Sequence, residues 1–123
     1  MPSTTGTIFG KKSFDAADEV RTFAHGHLDV VTVSGHTIGR ATFEPGWKWS
    51  ESIKPIAQTD LCETEHLGCI TSGRMRVRMQ DGTETEYGPG DAMYLTPGHD
   101  AWVVGSEPCV AYDFIGFKDY AKK

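Results

Sequence analysis

The chain has 123 residues, enough for a single domain that buries roughly two thirds of its unfolded surface. It carries 12 Lys+Arg against 17 Asp+Glu, a net charge of -5, which disfavours a phosphate backbone and excludes nucleic acid as the default partner. Apolar runs such as "AMYL" and "AWVV" fall far short of the roughly 20 residues that cross a bilayer, and "MPSTTGTIFGKKSF" lacks a signal peptide's apolar centre. These features predict a soluble, cytoplasmic protein with no membrane partner. Cys62, Cys69 and Cys109 match neither a CxxC pair nor a disulfide framework, so reduced thiols are expected.

In chain order, residues 1–12 read as a flexible N-terminal segment, 13–117 as one β-barrel and 118–123 as a C-terminal tail that frays or docks at an edge. "FDAADEV" (14–20) suits one helical turn or an arm crossing to a neighbour. Turn signals then recur every eight to twelve residues, as in "EPG", "SG", "DG", "GPGD" and "TPGHD", and short strands lie between them. The expected strands are 28–33, 37–43, 67–71, 74–79, 92–96, 101–104 and 109–115. The stretch "WKWSESIKPIAQTD" (47–60) keeps neither the helical nor the strand period and reads as a lid or loop at a barrel mouth. An all-β barrel or sandwich follows.

One hairpin is legible in register. A three-residue loop of Gln80, Asp81 and left-handed Gly82 sets Arg78 opposite Glu84 and Arg76 opposite Glu86, while Val77 meets Thr85 and Met75 meets Tyr87. The charged row is then a solvated face over an apolar inner one.

The order "EPGW … ETEHLGCITSGRMRV … DGTETEYGPGDAMYLTPGHDAW" resembles the cupin superfamily over residues 36–115. The resemblance implies a double-stranded β-helix (jelly-roll barrel), often a homodimer, with three histidines and a glutamate binding a divalent metal inside the barrel. This chain departs from that ligand pattern. Counting back from Gly73 puts His66 at the glutamate position, with Cys62 and Asp60 at the two histidine positions. Counting forward from Gly46 gives Ser52 and Lys54 there instead. In the second motif Gly98 matches, Thr96 takes the proline position and Ala101 the histidine position, while His99 lies two residues early.

Cys62 and His66 remain a candidate pair. On one straight strand they would be about 13 Å apart, but a turn through "ETE" (63–65) brings them together. Thiolate and imidazole suit one divalent transition metal, Zn, Fe or Cu, with His99 as third ligand and Asp60 or water completing the set. The alternatives are a buried Cys62, a His66 hydrogen-bonded inside the barrel and a His99 that only braces a turn with Asp100. A metal-free route, with Cys62 as nucleophile and His66 as general base, is opposed by the flanking Glu63 and Glu65. Trp47, Trp49 and Trp102 suit the rim of a ligand cavity, and Lys54 an anionic ligand. His25, His27 and His36 read as surface residues.

The expected function is therefore a small-molecule-binding cupin with an atypical pocket. The alternatives are a metal-dependent oxygenase, isomerase or lyase acting on a small organic acid or phenolic compound, and a scaffold module working through its dimer surface.

Overall fold

The computed structural model describes residues 9–116 and 120–122. Most of the expected flexible segment, residues 1–8, and residues 117–119 and 123 around the tail lie outside the described residues. The strands in chain order are β1 (Glu19–Phe23), β2 (Gly26–Val33), β3 (His36–Phe43), β4 (His66–Ser72), β5 (Arg74–Met79), β6 (Glu84–Tyr87), β7 (Ala92–Leu95), β8 (His99–Val104) and β9 (Cys109–Asp113). They form a six-stranded sheet ordered β1-β2-β3-β9-β4-β7 and a three-stranded sheet ordered β6-β5-β8. Alternation along the strands sends Leu28, Val30, Ala41, Phe43, Ile70 and Val77 into one shared core, as the two-residue period of a half-buried strand requires. Among the described residues no helix is long and apolar enough to cross a membrane.

The β5–β6 register is the one expected, with Arg78 opposite Glu84, Arg76 opposite Glu86, Val77 opposite Thr85 and Met75 opposite Tyr87. Gly82 is left-handed at φ 91° and its N–H donates to the Met79 carbonyl, so the loop closes without a Cβ clash. The shortest ion pairs run diagonally, one rung off the backbone pairing, Arg76 Nε to Glu84 Oε1 at 2.6 Å and Arg74 Nε to Glu86 Oε2 at 2.5 Å, while Arg76 Nη1 also reaches Glu86 Oε1 directly opposite at 3.3 Å. Long guanidinium stems reach the diagonal neighbour as readily as the direct one.

Residues 14–20 take the helical turn that was one of their two expected forms, and the 47–60 stretch is more ordered than expected. "FDAADEV" forms a single 3-10 turn at Phe14–Ala16, capped by Ser13 Oγ on the Asp15 N–H, and the chain then continues into edge strand β1, paired with β2 of the same chain. Alternating charge and apolarity in "EVRTF" is the signal for that strand. The irregular 47–60 stretch contains two short helices, α1 (Trp49–Ser52) and α2 (Lys54–Ala57), each too short to show a period. Asp100 ties α1 to β8, its Oδ1 accepting from the Ser50 N–H at 3.0 Å.

Candidate metal centre

The corner at 63–65 is where the chain changes sheets. Cys62 bridges to His99 at the start of β8: its N–H donates to the His99 carbonyl at 2.8 Å, and its own carbonyl accepts from the Gly98 N–H at 2.7 Å. Four residues later His66 opens β4 in the other sheet. Both side chains face inward, at 2% and 8% exposure, and His99 joins them at 2%. The turn expected through "ETE" therefore brings Cys62 Sγ to 3.7 Å from His66 Nε2. One atom from each of Cys62, His66 and His99 lies within 4.8 Å of the others.

The two imidazoles are oriented by what their other nitrogens bind. His66 Nδ1 lies 2.6 Å from Asp113 Oδ2, and His99 Nδ1 lies 2.7 Å from the Thr96 carbonyl oxygen. Both of those oxygens accept, so each Nδ1 carries the proton and, in a neutral ring, each Nε2 offers a lone pair to the cluster. Asp113 is itself anchored, its Oδ1 accepting from the Ile115 and Gly116 N–H groups at 3.0 and 2.7 Å. The turn works only because residue 116 is glycine: a Cβ there would sit 2.2 Å from His66 Nδ1. Tyr120 packs edge-on over His66, with ring centroids 5.5 Å apart, and covers the imidazole on that side.

Electrostatics couple the cluster. Burial alone would raise the Cys62 thiol, but hydrogen bonds from His66 and His99 outweigh it and lower the pKa to about 6. Burial would lower His66, yet Asp113 and Cys62 outweigh it and raise that pKa to about 9. Burial would raise Asp113, and His66 together with the two backbone donors holds it below the ordinary carboxylate range. Both shifts run in the direction that favours a thiolate–imidazolium pair beside an ionised Asp113 over a neutral thiol and imidazole. Glu63 and Glu65 do not oppose the thiolate, because both are exposed and Glu65 accepts a hydrogen bond from the Tyr94 hydroxyl.

Three soft or borderline donors within 4.8 Å of one another could together hold one transition metal. Bond lengths of about 2.3 Å to sulfur and 2.1 Å to nitrogen place two ligands of a tetrahedral ion about 3.6 Å apart, close to the Cys62–His66 separation. A carboxylate behind one histidine and a backbone carbonyl behind the other are the outer contacts that metal-bound imidazoles ordinarily make.

The remaining expected site residues divide. Trp47 and Trp49 are both 2% exposed and line a cavity of about 50 Å³ that ends at His66, His99 and Asp113. Trp102 is not at that cavity: on β8 His99 and Ala101 point inward, so Trp102 faces out, with the Lys48 ammonium 5.5 Å from its ring centre. Asp60 does not reach the cluster, since its fully exposed carboxylate meets Lys54 Nζ at 3.4 Å. The same contact keeps Lys54 on the surface, away from any cavity ligand. His25 and His36 are exposed and His27 half-buried. Asp113 and Tyr120 escaped the sequence reading. An acidic residue closing the apolar strand "CVAYD" was the available signal for Asp113, and Tyr120 offered none.

No protein-family model matches the sequence, and no curated protein matches it. Among solved structures, a protein with a double-stranded β-helix domain from Klebsiella pneumoniae is 18% identical with a TM-score of 0.57, over 98% of this chain and 93% of that one. A protein of unknown function from Acinetobacter sp. ADP1 is 12% identical with a TM-score of 0.57, over 80% and 90%. A variant of oxalate decarboxylase from Bacillus subtilis is 20% identical with a TM-score of 0.62, over 95% of this chain but only 32% of that longer one. Oxalate decarboxylase carries Mn(II) centres. Strand order, motif spacing and these likenesses agree that the chain has the cupin fold, a double-stranded β-helix.

Proposed function

We propose that the protein is a small-molecule-binding cupin whose barrel holds one divalent transition metal on Cys62, His66 and His99, with the remaining coordination position facing the apolar cavity. The observation that carries this reading is the disposition of the imidazoles: both Nδ1 atoms are already engaged, by Asp113 and by the Thr96 carbonyl, and both rings meet at Cys62. One thiolate and two imidazoles favour zinc, iron or copper over the oxygen-preferring Mn(II) of the decarboxylase. Such an ion would supply a Lewis acid at the polar end of the cavity. Around it, Asp113 orients His66, Thr96 orients His99, and Tyr120 with the two buried tryptophans limits water. The cavity, about 50 Å³, is well below the roughly 150 Å³ that accepts benzene. That favours the smaller expected ligands over phenolic compounds.

Cobalt substitution tests the reading. Co(II) added to the metal-free protein should give the intense visible bands of a four-coordinate ion with thiolate charge transfer, and Cys62→Ser should lose the charge-transfer band. The weak spectrum of hydrated cobalt in the wild type would overturn the reading. A second reading is favoured by the Cys62–His66–Asp113 chain, which has the layout of an activated nucleophile, its base and an orienting acid. His99→Ala separates the two, because it removes a metal ligand and leaves that chain intact.

A further inference from the structure

The outer face of the six-stranded sheet is covered over one half and open over the other. Residues directly opposite one another on paired strands share a face. Leu67 of β4 lies opposite Tyr94 of β7, and Phe114, one residue past β9, donates its N–H to the Leu67 carbonyl at 2.9 Å. Phe114, Leu67 and Tyr94 thus form one row across three strands, and they are 47, 45 and 51% exposed. The next outward row is Tyr112, Cys69 and Ala92. Alternation sends their neighbours His66, Asp113, Met93 and Leu95 inward.

Toward β2 and β3 the chain supplies its own cover for this face. The segment before β1 lays Phe14 edge-on against Tyr112, with ring centroids 5.3 Å apart, and the Arg40 guanidinium lies over the Phe14 ring. Val31, on the same side of β2, is only 3% exposed. Over β4 and β7 the two rows leave on the order of 400 Å² of apolar surface in water. A stable interface buries about 800 Å² on each partner, a little over half of it apolar, so the open half has the apolar area that one such interface needs.

Charge and relief select the occupant. None of the six side chains is charged, and the Tyr94 hydroxyl already donates to Glu65, so a charged partner finds nothing here to pair with. Each chain carries a net charge of -5, and two copies meet closely only over a neutral surface. The rows also complement themselves. Leu67 and Tyr94 stand tall, Cys69 and Ala92 beside them are short, and Tyr112 is already half-buried against Phe14. A two-fold axis lying between the rows and parallel to them sets the tall row of one copy over the short row of the other. We propose, independently of the metal reading, that a second copy of this chain docks here, sheet face on sheet face, with Leu67 of each copy over Cys69 of the other.

Sedimentation equilibrium on the full chain tests this. The wild type should be dimeric at micromolar concentrations. Leu67→Glu puts a carboxylate into the contact and should raise the dissociation constant about a hundredfold or more. Val20→Glu changes an apolar side chain that is 54% exposed on β1, at the far edge of the same sheet, and should leave the constant unchanged. Circular dichroism of both variants should match the folded wild type. A second readout needs no substitution: Cys69 is half-buried while Cys62 and Cys109 are buried, so alkylation of Cys69 by iodoacetamide, followed by peptide mapping, should slow as the protein concentration rises through the dimerisation range. A monomeric wild type, a dimer indifferent to Leu67→Glu, an equal loss in Val20→Glu, or alkylation of Cys69 at a rate independent of concentration would overturn the proposal.

Discussion

Two regions of the barrel handle charge in opposite ways. On the β5–β6 hairpin, Arg74, Arg76, Glu84 and Glu86 pair on the outer face with their side chains 29–51% exposed, where water screens each partner and neither depends on the other. At the corner between Cys62 and His66, a thiol, an imidazole and the Asp113 carboxylate are held inside, and each one's charge state is set by its neighbours. An exposed pair can lose a member cheaply. A buried cluster cannot, because the survivor is left charged without water or partner.

The sharpest way to break the comparison is Cys62→Ala. It removes the anionic ligand while leaving a small apolar residue in a buried position, so metal uptake should fall from one ion per chain to none while circular dichroism stays that of a folded β protein. Unfolding would instead assign Cys62 to the core alone. Asp113→Asn keeps the shape and removes the charge behind His66, and should weaken metal affinity 10–100-fold in a competition titration with a chelator. An unchanged affinity would mean Asp113 serves only to anchor the turn. Gly116→Ala should weaken metal affinity at least as much as Asp113→Asn, since its Cβ would sit 2.2 Å from His66 Nδ1 and 2.5 Å from the Glu65 carbonyl oxygen and so must displace the imidazole itself.

Acidity sharpens the same contrast. With Cys62 lowered to about 6 and His66 raised to about 9, the pair holds one proton between those values, and a metal must displace it. Zinc affinity should therefore rise about tenfold per pH unit across that window, level off above it and fall more steeply below it. A flat profile from pH 6 to 9 would contradict the coupled pair. On the hairpin, Arg76→Ala should alter neither zinc affinity nor its pH dependence, and the thermal midpoint should barely move.

The hairpin was legible because every signal in it is local and periodic. A "DG" turn fixes the loop, and alternation fixes the face. The triad was legible only in part. Sequence spacing made Cys62 and His66 neighbours on condition of a turn at 63–65, and the sheet change at that corner met the condition. His99 joins the cluster because β8 begins at it, two residues before the position that motif counting indicates. Asp60 was drawn toward the site by motif counting and Lys54 by its charge in the 47–60 loop, and nothing local says that they pair with each other on the surface. Trp102 was misplaced by its closeness to the Pro-Gly turn, when its parity with His99 would have turned it outward. Asp113 could not be tied to His66 from the chain, because 47 residues separate them and only the β4–β9 pairing brings them together.

The most direct test of the central claim is elemental mass spectrometry on untagged protein, wild type beside Cys62→Ala and His99→Ala, after exposure to zinc, iron and copper and removal of loosely bound ions. One transition metal per wild-type chain, absent from both variants, is the predicted result. A wild type that stays metal-free, or variants that keep the full complement, would contradict a centre built on Cys62, His66 and His99.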